Sequence, residues 1–158
     1  MAERRIGIIM HGVTGRMGYN QHLVRSILAI RDQGGLALGN GDRLVVDPII
    51  VGRDEDKIRR LAEKHSIARW TTDLDAALGN AEDTVFFDAG TTQMRAELLS
   101  RAIDAGKHVY CEKPVSDDLQ SAVALAKKAK AAGIKHGVVQ DKLFLPGLLK
   151  LMMLRDSG

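Results

Sequence analysis

Short apolar runs without polar alternation recur along this chain, and they narrow its possible folds more than any other feature. IGIIM near the amino terminus and TVFF in the middle are two of these runs. A strand that is apolar on both faces must be covered on both, as happens in a parallel sheet that lies between helices. The pattern predicts strands at residues 6–10, 48–51, 84–88, 108–111 and 134–139.

Amphipathic helical patterns lie between these predicted strands. Apolar residues recur at helical spacing around Leu28, Ile58 and Leu125. Thr72 and Asp75 have the spacing of a capping box at the start of a further short helix. Because strands and helices alternate with short connections, the sequence predicts an α/β fold: a doubly wound parallel sheet with helices on both faces.

Residues 31–47 interrupt this alternation. They read RDQGGLALGNGDRLVVD, which is rich in glycine and polar residues and long for a helix-to-strand connection. Two interpretations are open. The segment is either a mobile surface insertion, which we favour, or a small hairpin whose turn is formed by Asn40, Gly41 and Asp42.

A glycine-rich loop follows the first predicted strand. In IIMHGVTGRMGYN the residues Gly12, Gly15 and Gly18 form a GxxGxxG variant of the dinucleotide-binding fingerprint. A Cβ atom in such a loop blocks the tight turn and keeps the backbone away from a pyrophosphate. The N-terminus of the next helix attracts the negative charge of that pyrophosphate. A tight turn without a ligand is the alternative. The predicted dinucleotide-binding residues here are Gly12, Thr14, Gly15, Arg16 and Met17.

The end of the second predicted strand bears on the choice between NAD and NADP. An acidic residue usually holds the adenosine ribose hydroxyls at this point, but here Gly52 takes its place and Arg53 follows. An arginine fork pairs with phosphate oxygens, so this sequence favours the 2′-phosphate of NADP. Two other interpretations stay open: Asp54 takes the acidic role after a one-residue shift, or Arg53 is an ordinary surface residue.

A lysine stands directly before a proline in the sequence CEKPVSDD, after the predicted strand 108–111. A solvated turn explains Lys113 and Pro114 when the pair is considered alone. An amine near a reacting carbon, however, stabilises charge on oxygen during hydride transfer, or relays a proton when its pKa is lowered. Pro114 restricts the backbone and is compatible with a cis Lys113–Pro114 bond.

Four stretches, GVTGRMG, VGRDEDKIRRLAEKHSI, AIDAGKHVYCEKP and VVQDKLFLPGLLKL, occur in the order and spacing of one family. On these residues, nearly the whole chain resembles the cofactor-binding half of the glucose–fructose oxidoreductase, inositol dehydrogenase and MocA family of NAD(P)-dependent oxidoreductases. The resemblance implies a Rossmann-like fold, with residues 1–145 as the dinucleotide-binding domain. It also implies hydride transfer between NADP(H), or NAD(H), and a sugar, polyol or related hydroxy compound.

The resemblance implies roles for individual residues. The matching lysine of that family lies beside the nicotinamide and contacts the substrate oxygen, so Lys113 is the predicted catalytic residue and Glu112 would position its turn. Two stretches depart from the family: AGTTQMRAE replaces a Thr-Pro-Asn loop, and Gln140 with Asp141 replaces His-Asn. The predicted cofactor contacts beyond the glycine loop are Gly52, Arg53, Asp54, Ala89, Gly90, Thr91, Thr92, Glu112, Lys113, Pro114, Gln140 and Asp141.

The family's second domain, an antiparallel sheet that carries the substrate pocket, has no counterpart in these 158 residues. Residues 146–158 resemble the start of the helix that leads to it, and the apolar stretch LFLPGLLKLMML favours a truncated chain over a stand-alone module. We therefore expect the isolated domain to bind NADPH with little or no turnover. The resemblance also implies a homo-oligomer that assembles through the second domain.

Two other functions are open to this sequence. A non-catalytic sensor or regulatory module would hold NADP without using Lys113. The stretch GVTGRMG also resembles the opening loop of dihydrodipicolinate reductases, although that relation leaves AGKHVYCEKP unexplained.

Composition and charge exclude several further classes. The net charge is +3 with acids and bases interleaved, so we predict no nucleic-acid-binding stripe. The histidines and the single cysteine lack metal-ligand spacing, so we predict no metal site. The apolar part of MAERRIGIIM is too short for a signal peptide or a membrane span. One cysteine cannot form an internal disulfide, which favours a reducing compartment and hence the cytoplasm.

Overall fold

One seven-stranded sheet forms the centre of the protein in the computed structural model, which describes residues 2–158. The strand order is β2-β3-β1-β5-β6-β7, and β4 pairs with the outer edge of β3. All pairs are parallel except β2 with β3, which confirms the predicted fold. The strands are β1 (Glu3–His11), β2 (Leu36–Ala37), β3 (Arg43–Val51), β4 (Arg69–Thr71), β5 (Asp83–Asp88), β6 (His108–Cys111) and β7 (His136–Val138).

Helices cover both faces of this sheet. Ile8 and Met10 of β1 face a cluster that includes Leu23 and Ile58, whereas Ile9 between them faces the opposite cluster. Burial on both faces explains why the strands read as continuous apolar runs. The helices are α1 (π-helical Gly18–Leu28, continued by the α-helical turn Ala29–Asp32), α2 (Glu55–Lys64), α3 (Leu74–Gly79), α4 (Thr92–Asp104), α5 (Leu119–Ala131) and α6 (Pro146–Ser157), with a 3₁₀ turn at Asp141–Phe144 before the last.

Residues 31–47 form the hairpin alternative rather than a mobile insertion. The short strand β2 pairs antiparallel with the start of β3, and Leu38 N donates to Asp42 O at 2.8 Å to close the turn. Gly41 in that turn has a φ of 84°, a conformation that favours glycine. The end of the segment belongs to β3, since Arg43 already pairs with Glu3 of β1.

Two local expectations differ from the structure. The cap of α3 is Asp73, whose Oδ1 accepts a hydrogen bond from Ala76 N at 2.9 Å, so the predicted capping box of Thr72 and Asp75 is wrong. Strand β4 is absent from the prediction, because its three residues carry no recognisable pattern and Trp70 alone packs against the core. Pairing with β3, a long-range contact, makes this segment a strand.

The carboxyl-terminal helix α6 projects away from the sheet. Each of its residues is exposed, including Leu151 and Met153, and its apolar side chains point in all directions. A helix that is apolar all round is normally buried.

Across residues 2–158, no helix has both the length and the apolar character that crossing a membrane requires.

Candidate functional site

The carboxyl ends of the parallel strands meet along one edge of the sheet. His11 at the end of β1 lies opposite Val51 of β3 and Asp88 of β5, and Asp88 lies opposite Cys111 of β6. The loops that follow these residues therefore emerge side by side, at the edge where doubly wound sheets bind ligands. They contain the predicted site residues from Gly12, Gly52, Ala89 and Glu112 onward.

The glycine loop turns back tightly on itself and on the loop after β5. Gly12 has a φ of 79°, and a Cβ atom there would lie 2.3 Å from Gly90 N. A Cβ on Gly18 would lie 2.3 Å from Gly12 O, so a side chain is excluded at both positions. Gly15 differs, because its Cβ would come no closer than 3.4 Å, to Gly12 O. The protein itself leaves the space beside Gly15 open.

A crevice of about 270 Å³ opens between the ends of β1, β3 and β5. Gly12 and Gly15 of the glycine loop line it without a Cβ atom, and a pyrophosphate needs such a surface for close approach. These lining residues therefore suit the pyrophosphate of a dinucleotide. The residues that line the crevice are His11, Gly12, Thr14, Gly15, Val51, Gly52, Arg53, Ala89, Gly90, Thr91 and Met94.

Arg53 and Asp54 stand in different situations at the rim of this crevice. Asp54 caps α2, where its Oδ1 accepts a hydrogen bond from Lys57 N at 3.0 Å. This bond, with the Lys57 amine 3.1 Å away, holds the pKa of Asp54 below its usual value. The Arg53 side chain is exposed and has no hydrogen bond or ion pair with the described residues 2–158. The guanidinium is therefore available to a ligand, whereas the Asp54 carboxylate already has partners.

Lys113 lies on the same edge of the sheet, in the turn that follows β6. The Lys113–Pro114 peptide bond is cis. The Lys113 amide donates to Glu112 Oε2 at 3.1 Å, and Glu112 Oε1 lies 2.6 Å from His22 Nε2. Glu112 is buried, and these two contacts join its carboxylate to α1 and to the Lys113 turn. The Lys113 side chain is exposed, and within residues 2–158 its amine forms no hydrogen bond or ion pair.

A buried charge network that no sequence pattern indicates joins these loops. Asp88 accepts hydrogen bonds from Arg95 Nε at 2.7 Å and from Gly90 N at 3.0 Å, and its Oδ1 lies 2.7 Å from His11 Nδ1. Burial of Asp88 opposes its ionisation. The hydrogen bonds from His11, Arg95 and the Gly90 amide outweigh burial and hold the pKa of Asp88 below its usual value. The remaining Arg95 nitrogens donate to Gly90 O at 2.7 Å and to Pro114 O at 2.5 Å.

Several predicted contacts lie outside the crevice. Arg16 and Met17 are exposed directly before α1, and Thr92 is the first residue of α4. Asp141 lines a separate cavity of about 480 Å³ on the α1 side of the sheet, beside Gln140 in sequence. His11 and Met94 line the crevice but were not predicted. His11 sits between an apolar strand and Gly12, a position at which a side chain faces the carboxyl edge, and this signal was available in the sequence.

No group of three or more His, Cys, Asp or Glu side chains is arranged to hold a metal ion in the described part of the chain. The single cysteine, Cys111, is buried, and its burial raises the pKa of the thiol to about 11.

Comparison with known proteins identifies the family. Residues 6–139 match the oxidoreductase family with an NAD-binding Rossmann fold, GFO_IDH_MocA. The chain is 52% identical over 153 residues to a D-xylose dehydrogenase from Paenarthrobacter nicotinovorans, and the match covers 97% of the chain. It is 32% identical over 109 residues to oxidoreductase P35 from Formosa agariphila, which covers 69% of the chain. The chain spans only 39% and 34% of the length of these two relatives.

Solved structures share the fold of this chain. A probable oxidoreductase yhhX superposes with a TM-score of 0.80 at 25% identity over 97% of the chain and 40% of its own. KijD10, a 3-ketoreductase from Actinomadura kijaniata in complex with NADP, has a TM-score of 0.74 at 21% identity over 98% of the chain and 42% of its own. Levoglucosan dehydrogenase in complex with NADH has a TM-score of 0.70 at 21% identity over 85% and 35%. The chain therefore belongs to the GFO_IDH_MocA family and is an NAD-binding oxidoreductase domain with a Rossmann fold.

Proposed function

We propose that the chain is the cofactor domain of an NADP-dependent dehydrogenase that acts on a CH–OH group of a sugar or polyol, with Lys113 as the catalytic residue. One observation carries the proposal. The exposed Lys113 amine and the glycine crevice share one edge of the sheet, and Arg95 hydrogen-bonds both Gly90 of the crevice and Pro114 of the lysine turn.

The electrostatics of the crevice favour NADP over NAD. An acid that binds the ribose hydroxyls of NAD is missing at Gly52, and the Asp54 carboxylate is engaged as a helix cap. Arg53 is exposed at the rim and supplies a planar fork for a phosphate monoester. Solved structures with this fold contain either cofactor, since KijD10 is in complex with NADP and levoglucosan dehydrogenase with NADH.

The chemistry divides between the cofactor and the chain. A bound nicotinamide supplies hydride acceptance or donation. Lys113 donates a hydrogen bond from its amine to the substrate oxygen, where negative charge develops as the C–H bond breaks or forms. In the oxidation direction, the Lys113 amine, when neutral, accepts the proton of the substrate hydroxyl. Thr91 and Gly15 line the crevice and would contact a cofactor bound there.

The relatives support the proposed substrate class. The D-xylose dehydrogenase shares 52% identity with this chain, and scyllo-inositol 2-dehydrogenase (NADP(+)) IolU from Bacillus subtilis shares 27% over 103 residues. A polyhydroxylated ring or chain compound is therefore the proposed substrate. The chain spans 39% of the length of the D-xylose dehydrogenase, and this share is consistent with a carbohydrate site that includes further residues of a longer protein. A cytoplasmic location stays a prediction based on the single cysteine.

The test joins this domain to a known substrate domain. In a chimera, residues 1–158 replace the matching part of the D-xylose dehydrogenase from Paenarthrobacter nicotinovorans. NADP-dependent oxidation of D-xylose is measured with and without Lys113→Ala. We expect kcat to fall by a factor of about 10² to 10⁴ because the group that stabilises the substrate oxygen is lost. Lys135→Ala, an exposed lysine directly before β7, serves as the matched control and leaves kcat unchanged.

The chimera also separates the enzyme from a sensor. A sensor or regulatory module binds NADPH but has no use for the Lys113 amine. Equal kcat for the parent chimera and Lys113→Ala would therefore refute the catalytic role while leaving cofactor binding intact.

A further inference from the structure

We propose that Arg95 and His22 are positioning residues that hold the Lys113 turn from the two opposite faces of the sheet. The inference rests on the proposed function of Lys113 and adds two residues that neither the family match nor the sequence pattern points to. Arg95 belongs to α4 on one face, and His22 belongs to α1 on the other.

Arg95 fixes the carboxyl side of the turn. Its side chain is only 2% exposed, and each of its three nitrogens donates to a different residue: Asp88, Gly90 and Pro114. The Pro114 carbonyl is the first backbone acceptor after the Lys113 residue itself. A planar guanidinium presents its donors in a fixed fork, so the three acceptors are held in one plane relative to one another.

His22 fixes the amino side of the turn through Glu112. The Glu112 carboxylate lies 2.6 Å from His22 Nε2 with one oxygen and accepts the Lys113 amide at 3.1 Å with the other. The His22 ring packs on Phe87 at a centroid distance of 4.6 Å, which restricts its orientation. The backbone of Lys113 is therefore held on both sides by groups that belong to other elements, and its amine is left free.

Positioning explains this arrangement better than stability does. A buried ion pair such as Asp88 with Arg95 adds little stability relative to apolar residues of the same volume, because desolvation of the charges offsets their attraction. A leucine or methionine on α4 would fill the same space. What an apolar residue would not do is set the distance between the Gly90 carbonyl of the crevice and the Pro114 carbonyl of the lysine turn.

Amide hydrogen exchange in the cofactor-free, 158-residue protein gives the first readout. We expect His22→Gln and Arg95→Lys each to raise the exchange rate at the Lys113 amide by about tenfold. Each change loosens one side of the turn and thereby weakens the hydrogen bond from the Lys113 amide to the Glu112 carboxylate. Arg95→Lys keeps a cation beside Asp88 but loses the planar fork that reaches Gly90 and Pro114. Arg95→Met removes the cation as well; if that variant does not fold, the exchange rate in Arg95→Lys alone tests the role of Arg95. The control is Lys107→Met, which removes another buried cation that donates to Asn80 O at the far edge of the sheet.

A double-mutant cycle in the D-xylose dehydrogenase chimera gives the second readout. Arg95→Lys and His22→Gln should each lower kcat about tenfold or more, while KM for NADP changes by less than about threefold. In the Lys113→Ala background the same two changes should have almost no further effect on kcat, since they act through the amine. Lys107→Met should lower the melting temperature without changing kcat.

The outcomes separate this inference from the proposed function. Full additivity with Lys113→Ala, or unchanged Lys113 amide exchange in both variants, overturns the positioning role. A chimera in which Lys113→Ala itself has no effect refutes the catalytic function instead, and the exchange data then decide alone whether Arg95 and His22 hold the turn. A loss of kcat that Lys107→Met shares shows a general loss of stability and also overturns the proposal.

Discussion

The carboxylate of Asp88 and the guanidinium of Arg95 form a 2.7 Å ion pair that is almost completely shielded from solvent. Asp88 ends a central strand, and Arg95 lies on the helix that follows the next loop. The pair is therefore the junction between the core of the sheet and the loops that carry the candidate site. Removing Asp88 leaves the Arg95 guanidinium buried without a counter-ion, and breaking a buried ion pair in this way typically costs about 3–5 kcal/mol.

Stability should depend on pH through Asp88. Burial raises its pKa, but the hydrogen bonds of the folded state lower it further, so the net folded pKa is depressed. Such a group stabilises the fold above its unfolded pKa of about 3.9, and this contribution is lost as the pH falls through the lower, folded value. Urea unfolding between pH 7 and pH 3 should show a smaller acid-dependent loss in Asp88→Asn, which is also less stable at pH 7.

A matched substitution checks that this loss comes from the buried pair. Asp75→Asn removes an 80% exposed carboxylate that pairs with Arg101 on the surface. Its unfolding free energy should follow the wild-type pH dependence within error. An identical acid-dependent loss in wild type and Asp88→Asn would contradict the assignment of the effect to Asp88.

Three alanine substitutions should separate the fold from cofactor binding in the glycine loop. Gly12→Ala should destabilise the protein by about 1–3 kcal/mol, because φ is positive and the new Cβ meets backbone. Gly15→Ala should keep the wild-type stability but weaken NADPH binding, since its Cβ extends into the crevice without a protein clash. Gly39→Ala, with nothing within 4 Å, should change neither.

Thermal unfolding and calorimetric titration with NADPH measure the two properties in parallel. NADPH binding by Gly15→Ala as tight as that of the wild type would mean that the pyrophosphate does not lie against this loop.

Arg53→Ala should change cofactor preference. We expect NADPH affinity to fall about tenfold or more, because a charge-assisted bidentate contact is lost, while NADH affinity changes by less than about twofold. Calorimetry with both cofactors on both proteins tests this expectation. Lys130→Ala, an exposed cation on α5, controls for a general loss of positive charge. Equal wild-type affinities for NADPH and NADH would remove the case for phosphate recognition.

Cys111 should react slowly with thiol reagents in the folded protein. Its side chain is 1% exposed, and burial raises the pKa of the thiol to about 11. At pH 8 the reactive thiolate is therefore scarce as well as inaccessible. A disulfide reagent such as DTNB should label the native protein at least about a hundredfold more slowly than the urea-unfolded protein. Complete labelling of the native protein within seconds would contradict this burial.

The sequence predicted those parts of the fold and site that depend on neighbouring residues in the chain, such as apolar runs and turn glycines. Strand β6 begins at His108 and ends at Cys111 as expected, since an apolar run between a glycine turn and a proline turn leaves little choice. Gly12 and Gly18 were predicted because a backbone without Cβ atoms is a requirement of the loop itself.

The missed features depend on contacts between distant elements. Arg95 looks like an ordinary helical surface residue in the sequence, and only the packing of α4 against the ends of β5 and β6 buries it. His22 meets Glu112 across 90 positions of the chain. Gln140 and Asp141 were assigned to the cofactor by resemblance alone; they are exposed after β7, and Asp141 lines a different cavity.

The free guanidinium of Arg53 has a practical consequence for redesign. It lines the crevice and forms no hydrogen bond or ion pair in residues 2–158, whereas the lysine turn after β6 is braced by Arg95 and Glu112. Under the proposed function, coenzyme preference and reaction chemistry thus reside in mechanically separate parts of the same sheet edge. Engineers who wish to switch the coenzyme should be able to rewrite positions 52 to 54 without retuning the turnover step.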